Sequence, residues 1–318
     1  MNNKLIITVI IFIISADLVF SIGDNYSLQI NIDNDAFSIG KNYDRYYTYG
    51  TELSLTFPKS NTPEFFLNDF LFSLDKNEEN YTISLTHKLF TPSDISSDTI
   101  LSLDRPYAGL FYLALSKSSN NLLLRQKLLS HLSIGFIGKY ALGEELQTFL
   151  HRQWFKSPIP KGWDNQLASD IVLNFYNRFE NAIFYDFLPD FINTSVLFDF
   201  NAGTLINEFG LGANFKIGRF YDLKLSKNKK TSIAYYVYFD SFVRFVIYNS
   251  LLQGGIFNKS SVHSISADNI NRFYFNGEYG LKINVYDIEL IYSNSIRTAE
   301  FKDAKNTFWG SVKLRIYF

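Results

Sequence analysis

Side chains able to do chemistry are few in this chain, and they collect in short motifs. There are four histidines, His87, His131, His151 and His263. His151 lies within residues 144–155 (EELQTFLHRQWF), a stretch of helical propensity that sets Gln147 four positions earlier on the same helix face. An imidazole titrates near neutrality and so has the proton affinity of a general base. The plain alternative is an exposed histidine on a lid helix. Of the four, His151 alone shares its segment with Trp163-Asp164-Asn165-Gln166.

A second cluster is Asp33-Asn34-Asp35-Ala36-Phe37. Asx side chains are hard oxygen ligands suited to Ca²⁺. They are also favoured turn residues for backbone reasons, and in isolation the turn is the commoner reading. Asp44-Arg45-Tyr46-Tyr47-Thr48-Tyr49-Gly50 follows, read by itself as aromatics beside a loop ion pair. The chain has neither a Gly-x-Ser-x-Gly elbow nor a His-Glu-x-x-His motif. Ser-His-Asp triads are recognised by geometry and none is assigned from spacing. For a hydrolase, a histidine with a hard metal ion is the better match.

The elements that must position these groups follow from composition. The 318 residues carry 30 Lys+Arg and 31 Asp+Glu, a formal net charge of -1 that removes the electrostatic case for nucleic-acid binding. The absence of cysteine excludes disulfides, thiolate metal sites and cysteine nucleophiles. Aromatics reach 18%, yet mean hydropathy is only -0.04. After the N-terminus no apolar run approaches the roughly 20 residues of a membrane helix. That combination suits a transmembrane β-barrel, whose strands are apolar on one side only. The N-terminus reads as an export signal: Lys4, an apolar stretch over 5–14, and Val19-Phe20-Ser21 before a cleavage site. The expected division is a signal peptide over 1–21 and an outer-membrane barrel over 22–318.

Alternation of apolar and polar residues marks the strands. Tyr26, Leu28, Ile30 and Ile32 alternate with Ser27, Gln29, Asn31 and Asp33, and Val312, Leu314, Ile316 and Phe318 do the same at the other end. Further runs fall near 46–57, 81–90, 107–116, 131–138, 172–185, 194–201, 208–216, 233–248, 273–283 and 286–292. The expectation is an all-β, antiparallel up-and-down transmembrane barrel of about 12 strands, with a short helix in an extracellular loop. Connections after odd strands, 33–44, 91–106 and 139–170, then face outside, and every motif named above lies at that end. The connection over 58–80 faces the periplasm, and its apolar 64–74 portion reads as an interfacial helix. Alternation sets Asn34 on the apolar face and Asp35 on the other, a conflict that a bulge or the end of the strand must resolve.

Read in order, the motifs resemble the outer-membrane lipid A 3′-O-deacylase family. The matching elements are Asn34-Asp35 with Phe37, Asp44-Arg45-x-Tyr47-Thr48-x-Gly50, Phe90-Thr91-Pro92-Ser93-Asp94 and Asp104-Arg105-Pro106-Tyr107-Ala108-Gly109. Gly143-Glu144-Glu145-x-Gln147-x-x-x-His151 and Gly162-Trp163-Asp164-Asn165-Gln166-Leu167 complete the series. The resemblance implies a barrel in the bacterial outer membrane with its active site at the outer-leaflet rim. It implies a calcium- and histidine-dependent hydrolysis of an ester-linked acyl chain of lipid A, similar to phospholipase A2. His151 would then activate water and Asp35 would help hold Ca²⁺, while Gln147, Asn34 and Thr48 orient water, ester or metal. The partners so implied are lipid A or lipopolysaccharide and other outer-membrane lipids, with the protein a monomer and nucleic acid excluded. The chain departs from the family pattern at Ser157, where a glutamate can stand, at Gly138-Lys139-Tyr140 in place of Gly-Pro, and in the longer apolar 58–80 segment. Glu144 and Glu145 are the substitute carboxylates. The competing readings are a barrel whose site has decayed to a structural or lipid-binding role, and a small porin. The porin ranks last because a barrel of this size is filled by side chains.

Overall fold

The computed structural model describes residues 26–39, 45–59, 69–74, 78–155, 159–183, 191–220 and 233–318. The expected signal peptide, Asp44 and Ser157 lie outside the described residues. The described residues form twelve strands: β1 Ser27–Asn34, β2 Tyr49–Pro58, β3 Glu78–Phe90, β4 Ala108–Asn121, β5 Gln126–Ile137 and β6 Asp170–Ile183, then β7 Ile192–Gly203, β8 Ile206–Arg219, β9 Ile233–Asn249, β10 Phe273–Val285, β11 Ile288–Arg297 and β12 Thr307–Tyr317. Each pairs antiparallel with its sequence neighbours, and β1 pairs with β12 from Ser27↔Tyr317 to Asn34↔Gly310, so the barrel closes. Closure leaves no unpaired strand edge to face lipid.

Every expected strand is present, and the differences lie at the ends. β12 begins at Thr307, ahead of the alternating stretch. There Trp309 stands in the inward column, between Thr307 and Ser311, and the apolar–polar rhythm fails although the pairing continues. Phe318 follows the last strand and exchanges backbone hydrogen bonds with Tyr26 at 2.9 and 3.0 Å.

Register fixes two columns of side chains per strand. The outward column of β3, β4, β5 and β6 holds Ile83 and Leu85, Leu113 and Leu115, Leu132 and Ile134, and Leu173. Leu113, Ile134 and Leu173 are exposed, as a lipid-facing wall requires. The inward column holds Ser84, Thr86, Ser133, Asp199, Glu208 and Arg244, all buried. Several of its charges are paired: Arg244 binds Asp199 at 2.9 Å and Glu208 at 3.0 Å, and Lys282 binds Glu289 at 2.7 Å. The lower lumen retains a cavity of about 220 Å³ among Arg178, Glu180, Lys216, Asp240 and Glu278.

Candidate active site at the outer wall

The five residues singled out from sequence, Asn34, Asp35, Thr48, Gln147 and His151, all lie at the extracellular end and each is at most 7% exposed. β1 stops at Asn34, which keeps extended backbone and caps a 3₁₀ turn over Asp35–Phe37. The Asn34 Oδ1 accepts from Ala36 N–H at 2.8 Å, and its Nδ2 donates to the Thr48 carbonyl at 3.1 Å. Asn34 thus stays in the outward column while Asp35 leaves the strand in the turn. The end of the strand, and not a bulge, resolves the alternation conflict.

Below this turn Asp33 faces the lumen and accepts hydrogen bonds from Tyr47 Oη at 2.6 Å and Ser311 Oγ at 2.7 Å. Burial, then the neighbouring Asp33 carboxylate, pushes the Tyr47 phenol well above its ordinary range, so it remains a donor. Thr48 shares a 2.8 Å hydroxyl–hydroxyl bond with Thr91, and its N–H donates to Leu89 O at 3.1 Å. These bonds tie the strand-one turn to the top of β3.

His151 and Gln147 come from the connection between β5 and β6. Gly138 makes the first bend with φ +77°, a backbone region costly for other residues. A 3₁₀ turn, Gly138–Ala141, leads into the helix α1, Gly143–Leu150. Glu144 and Glu145 occupy its first turn, where carboxylates complement the helix dipole, and both are exposed. The His151 N–H is shared between the Gln147 and Thr148 carbonyls, and the chain widens into a π-helix over His151–Phe155. Such widened turns recur at functional sites.

α1 was expected above the rim. It lies instead against the outer wall, because the strand residues that it and the preceding turn meet, His87, Leu89 and Gly109, are in the outward column. Nε2–H of His87 donates to the Ala141 carbonyl at 2.5 Å. Gly109 lets the loop approach; a Cβ there would stand 3.1 Å from Ala141 Cβ and 3.3 Å from Gly143. Outward Leu89, fully buried, packs with Ile95, Tyr107 and Trp163, with Leu146 of α1 and Tyr49 at the margin. Trp163 is the keystone: its ring lies 4.9 Å from Tyr107, and its Nε1–H donates to Gln147 Oε1 at 2.7 Å. The buried Gln147 Nε2 has no hydrogen-bond partner among the described residues. An uncommitted buried donor is costly and suits a site that receives an acceptor from a ligand.

Asn34 and Thr48 are therefore in direct contact, Gln147 and His151 share a helix, and Leu89, Thr91 and Trp163 join the two halves. The helix thus packs on the lipid-facing side of the wall at its extracellular end. Among the described residues no group of three or more His, Cys, Asp or Glu side chains is placed to hold a metal ion. The donors present are the buried Asp35 carboxylate with amide, hydroxyl and backbone oxygens, which match in type the hard ligands Ca²⁺ takes.

Three contributors were not assigned roles from sequence. His87 carried no motif, and Trp163 was only noted as a neighbour of the histidine segment. Arg105 sat in a matching motif, but its partner did not. Arg105, 1% exposed, pairs with Glu300 at 2.6 Å and lies 4.6 Å from the Phe90 ring centroid, joining the β3–β4 and β11–β12 loops. Burial opposes the Glu300 charge, yet Arg105 and Arg297 outweigh it and hold that carboxyl below its ordinary range.

Comparison with known proteins agrees with this architecture. A family model described as outer membrane protein LpxR matches residues 5–318. No match is found among curated protein sequences. The solved structure of LpxR from Salmonella typhimurium is 19% identical, covering 92% of this chain and 100% of that one at a TM-score of 0.72. The beta domain of the Bordetella autotransporter Brka is 9% identical, covering 92% and 99% at a TM-score of 0.46. With the closed barrel and the family match in hand, the location is the bacterial outer membrane. The chain belongs to the LpxR family of outer-membrane proteins, the lipid A deacylase family that its rim motifs resemble.

Proposed function

We propose that this chain hydrolyses the 3′-linked acyl ester of lipid A from the outer leaflet, with His151 as general base and Asp35 as a ligand of Ca²⁺. The observation that carries the reading is the gathering of these buried polar side chains at the extracellular end of the wall. Asn34, Thr48, Gln147 and His151 are all buried at the extracellular end, where the helix that carries Gln147 packs on the lipid-facing wall, a position that an acylated sugar would reach sideways from the membrane. His151 takes a proton from water as the hydroxide adds to the ester carbonyl carbon. It returns that proton to the sugar oxygen as the acyl–oxygen bond breaks, giving a free fatty acid and a sugar hydroxyl. Gln147 offers its uncommitted N–H to an ester oxygen, held in that orientation by Trp163. Asn34 keeps the Asp35 turn and the Thr48 segment in place through its two hydrogen bonds. Calcium, when bound, supplies positive charge that polarises the carbonyl.

The test is mass spectrometry of lipid A from Gram-negative cells expressing the wild type, with His151→Ala as control. Loss of one 3′-linked acyl or acyloxyacyl group with the wild type alone supports the reading. Unchanged lipid A from a correctly inserted wild-type barrel overturns it. Ser157, in place of the family's glutamate, would then favour a barrel that binds outer-leaflet lipid without cleaving it.

A further inference from the structure

The β2–β3 connection, which the site does not use, lies beside an irregularity in the lipid-facing wall. Near the periplasmic end the outward column is aromatic: Phe318, Tyr26, Phe57 and Tyr81 form a stacked series across β12, β1, β2 and β3, with centroids 6.2–6.4 Å apart. Such a series has the composition of the interfacial girdle of a membrane barrel, and its Phe57 and Tyr81 are themselves covered, at 9% and 3% exposed. The next residues along the same hydrogen-bonded row are not aromatic. Tyr81 pairs with Lys117, Lys117 with Ser130, and Ser130 with Asn177, before Phe200 restores the ring on β7. One row higher the wall is wholly apolar: Ile83, Leu115, Leu132 and Phe175.

A lysine, a serine and an asparagine facing hydrocarbon would be costly. They do not face it, for Lys117, Ser130 and Asn177 are 8%, 0% and 3% exposed although their column points outward. Residues 69–74 supply cover. Phe72 N–H donates to Ser130 Oγ at 3.1 Å, Leu74 N–H donates to Ser119 Oγ at 3.0 Å, and Ser73 donates to Glu79. Leu71 is buried, while Phe70 and Phe72 remain 61% and 55% exposed. The Phe72 ring meets Phe175 edge-on at 5.4 Å, and Phe175 in turn contacts Phe200 at 6.2 Å. Ser130 lies four residues above the periplasmic start of β5 at Gln126, so the segment climbs the wall and is not a turn beneath it.

We propose that residues 69–74 are a membrane-seated strap. It closes the gap in the aromatic girdle, with Phe70 and Phe72 immersed in the phospholipid of the periplasmic leaflet. The partner is the lipid bilayer. The polar row beneath is a docking strip for the strap, and the strap in turn keeps that row from lipid.

The absence of cysteine makes a site-directed test direct. Phe70→Cys and Phe72→Cys are spin-labelled, and the barrel is reconstituted into vesicles of phosphatidylethanolamine and phosphatidylglycerol. Label accessibility to oxygen, which partitions into lipid, is compared with that to a water-soluble nickel chelate. Leu113→Cys on the mid-wall is the lipid reference, and Leu123→Cys, 90% exposed between β4 and β5, is the aqueous one. The expected result is an oxygen-to-chelate ratio several-fold above that at Leu123 and close to that at Leu113. A ratio matching Leu123 at both positions overturns the proposal. Folding is checked for each variant by the heat-dependent gel shift of intact barrels. Should Phe72→Cys fail to fold, Phe70→Cys decides alone, because it leaves the Phe72–Phe175 contact and the bonds to Ser130 and Ser119 in place.

Discussion

Trp163 holds Gln147 by a single hydrogen bond, indole Nε1–H to amide Oε1 at 2.7 Å, with both side chains 1% exposed. The bond decides which end of the amide is committed and leaves Nε2 available. Trp163→Phe retains a ring against Tyr107 and removes only the donor. Loss of one buried hydrogen bond costs about 1–2 kcal/mol. Lipid A deacylation is expected to fall roughly ten-fold with the barrel still folded. Activity equal to wild type would show that the amide orientation does not matter.

Gly143 separates two opposing expectations. Glycine to alanine inside a helix ordinarily stabilises by about 0.5–1 kcal/mol. Here the new Cβ would stand 2.5 Å from Trp163 Cη2, so the indole must move or the helix must lift from the wall. Gly143→Ala is expected to lose most activity and to open the 138–155 loop to limited proteolysis, while the strands keep their urea midpoint.

Asn34 makes two bonds with different fates. Asn34→Asp keeps the cap on Ala36 N–H but cannot donate to the Thr48 carbonyl, whereas Asn34→Ala loses both. Each bond is worth about 1 kcal/mol. Thermal midpoints should therefore fall in the order wild type, Asp, Ala. Activity is expected to be low in both variants, since both free the Thr48 segment from the strand-one turn.

The Arg105–Glu300 pair gives a pH signature. The folded-state pKa of Glu300 is depressed, so its stabilisation is fully present above the ordinary glutamate value, about 4.3, and disappears as pH falls through the lower folded value. Glu300→Gln leaves the Arg105 charge buried without its counter-ion, a loss of about 3–5 kcal/mol near pH 7. The gap between wild-type and variant urea midpoints in vesicles is expected to narrow as pH drops below about 4. A gap independent of pH would show that the charge is not what matters.

Calcium dependence follows from the proposed activity. Chelation should abolish deacylation and added Ca²⁺ should restore it, while Mg²⁺, which demands tight octahedral geometry, should not. Removing one ligand charge through Asp35→Asn should raise the Ca²⁺ needed by roughly ten-fold or more. Unaltered calcium response in that variant would remove Asp35 from the site.

Local physics made much of this protein readable from its sequence. A period of two is a property of a few consecutive residues, so about twelve strands emerged from alternation, and the rules of a closed barrel then set which loops share one end. Where an inward aromatic such as Trp309 interrupts the rhythm, the boundary was lost. The segment of α1, with Gln147 and His151 on one face, was legible because helical spacing is equally local.

Position relative to the wall was not legible. Whether α1 sits over the mouth or against the outer face depends on the Gly109–Gly143 approach and the His87–Ala141 bond, contacts between segments distant in sequence. The partner of Arg105 stands 195 residues away in a loop without a motif. The row of Lys117, Ser130 and Asn177 breaks the rule for a lipid-facing strand. It makes sense only once register aligns three strands and a connector from elsewhere in the chain lies across them. Alternation says which face of a strand is which, and only the closed barrel says what covers that face.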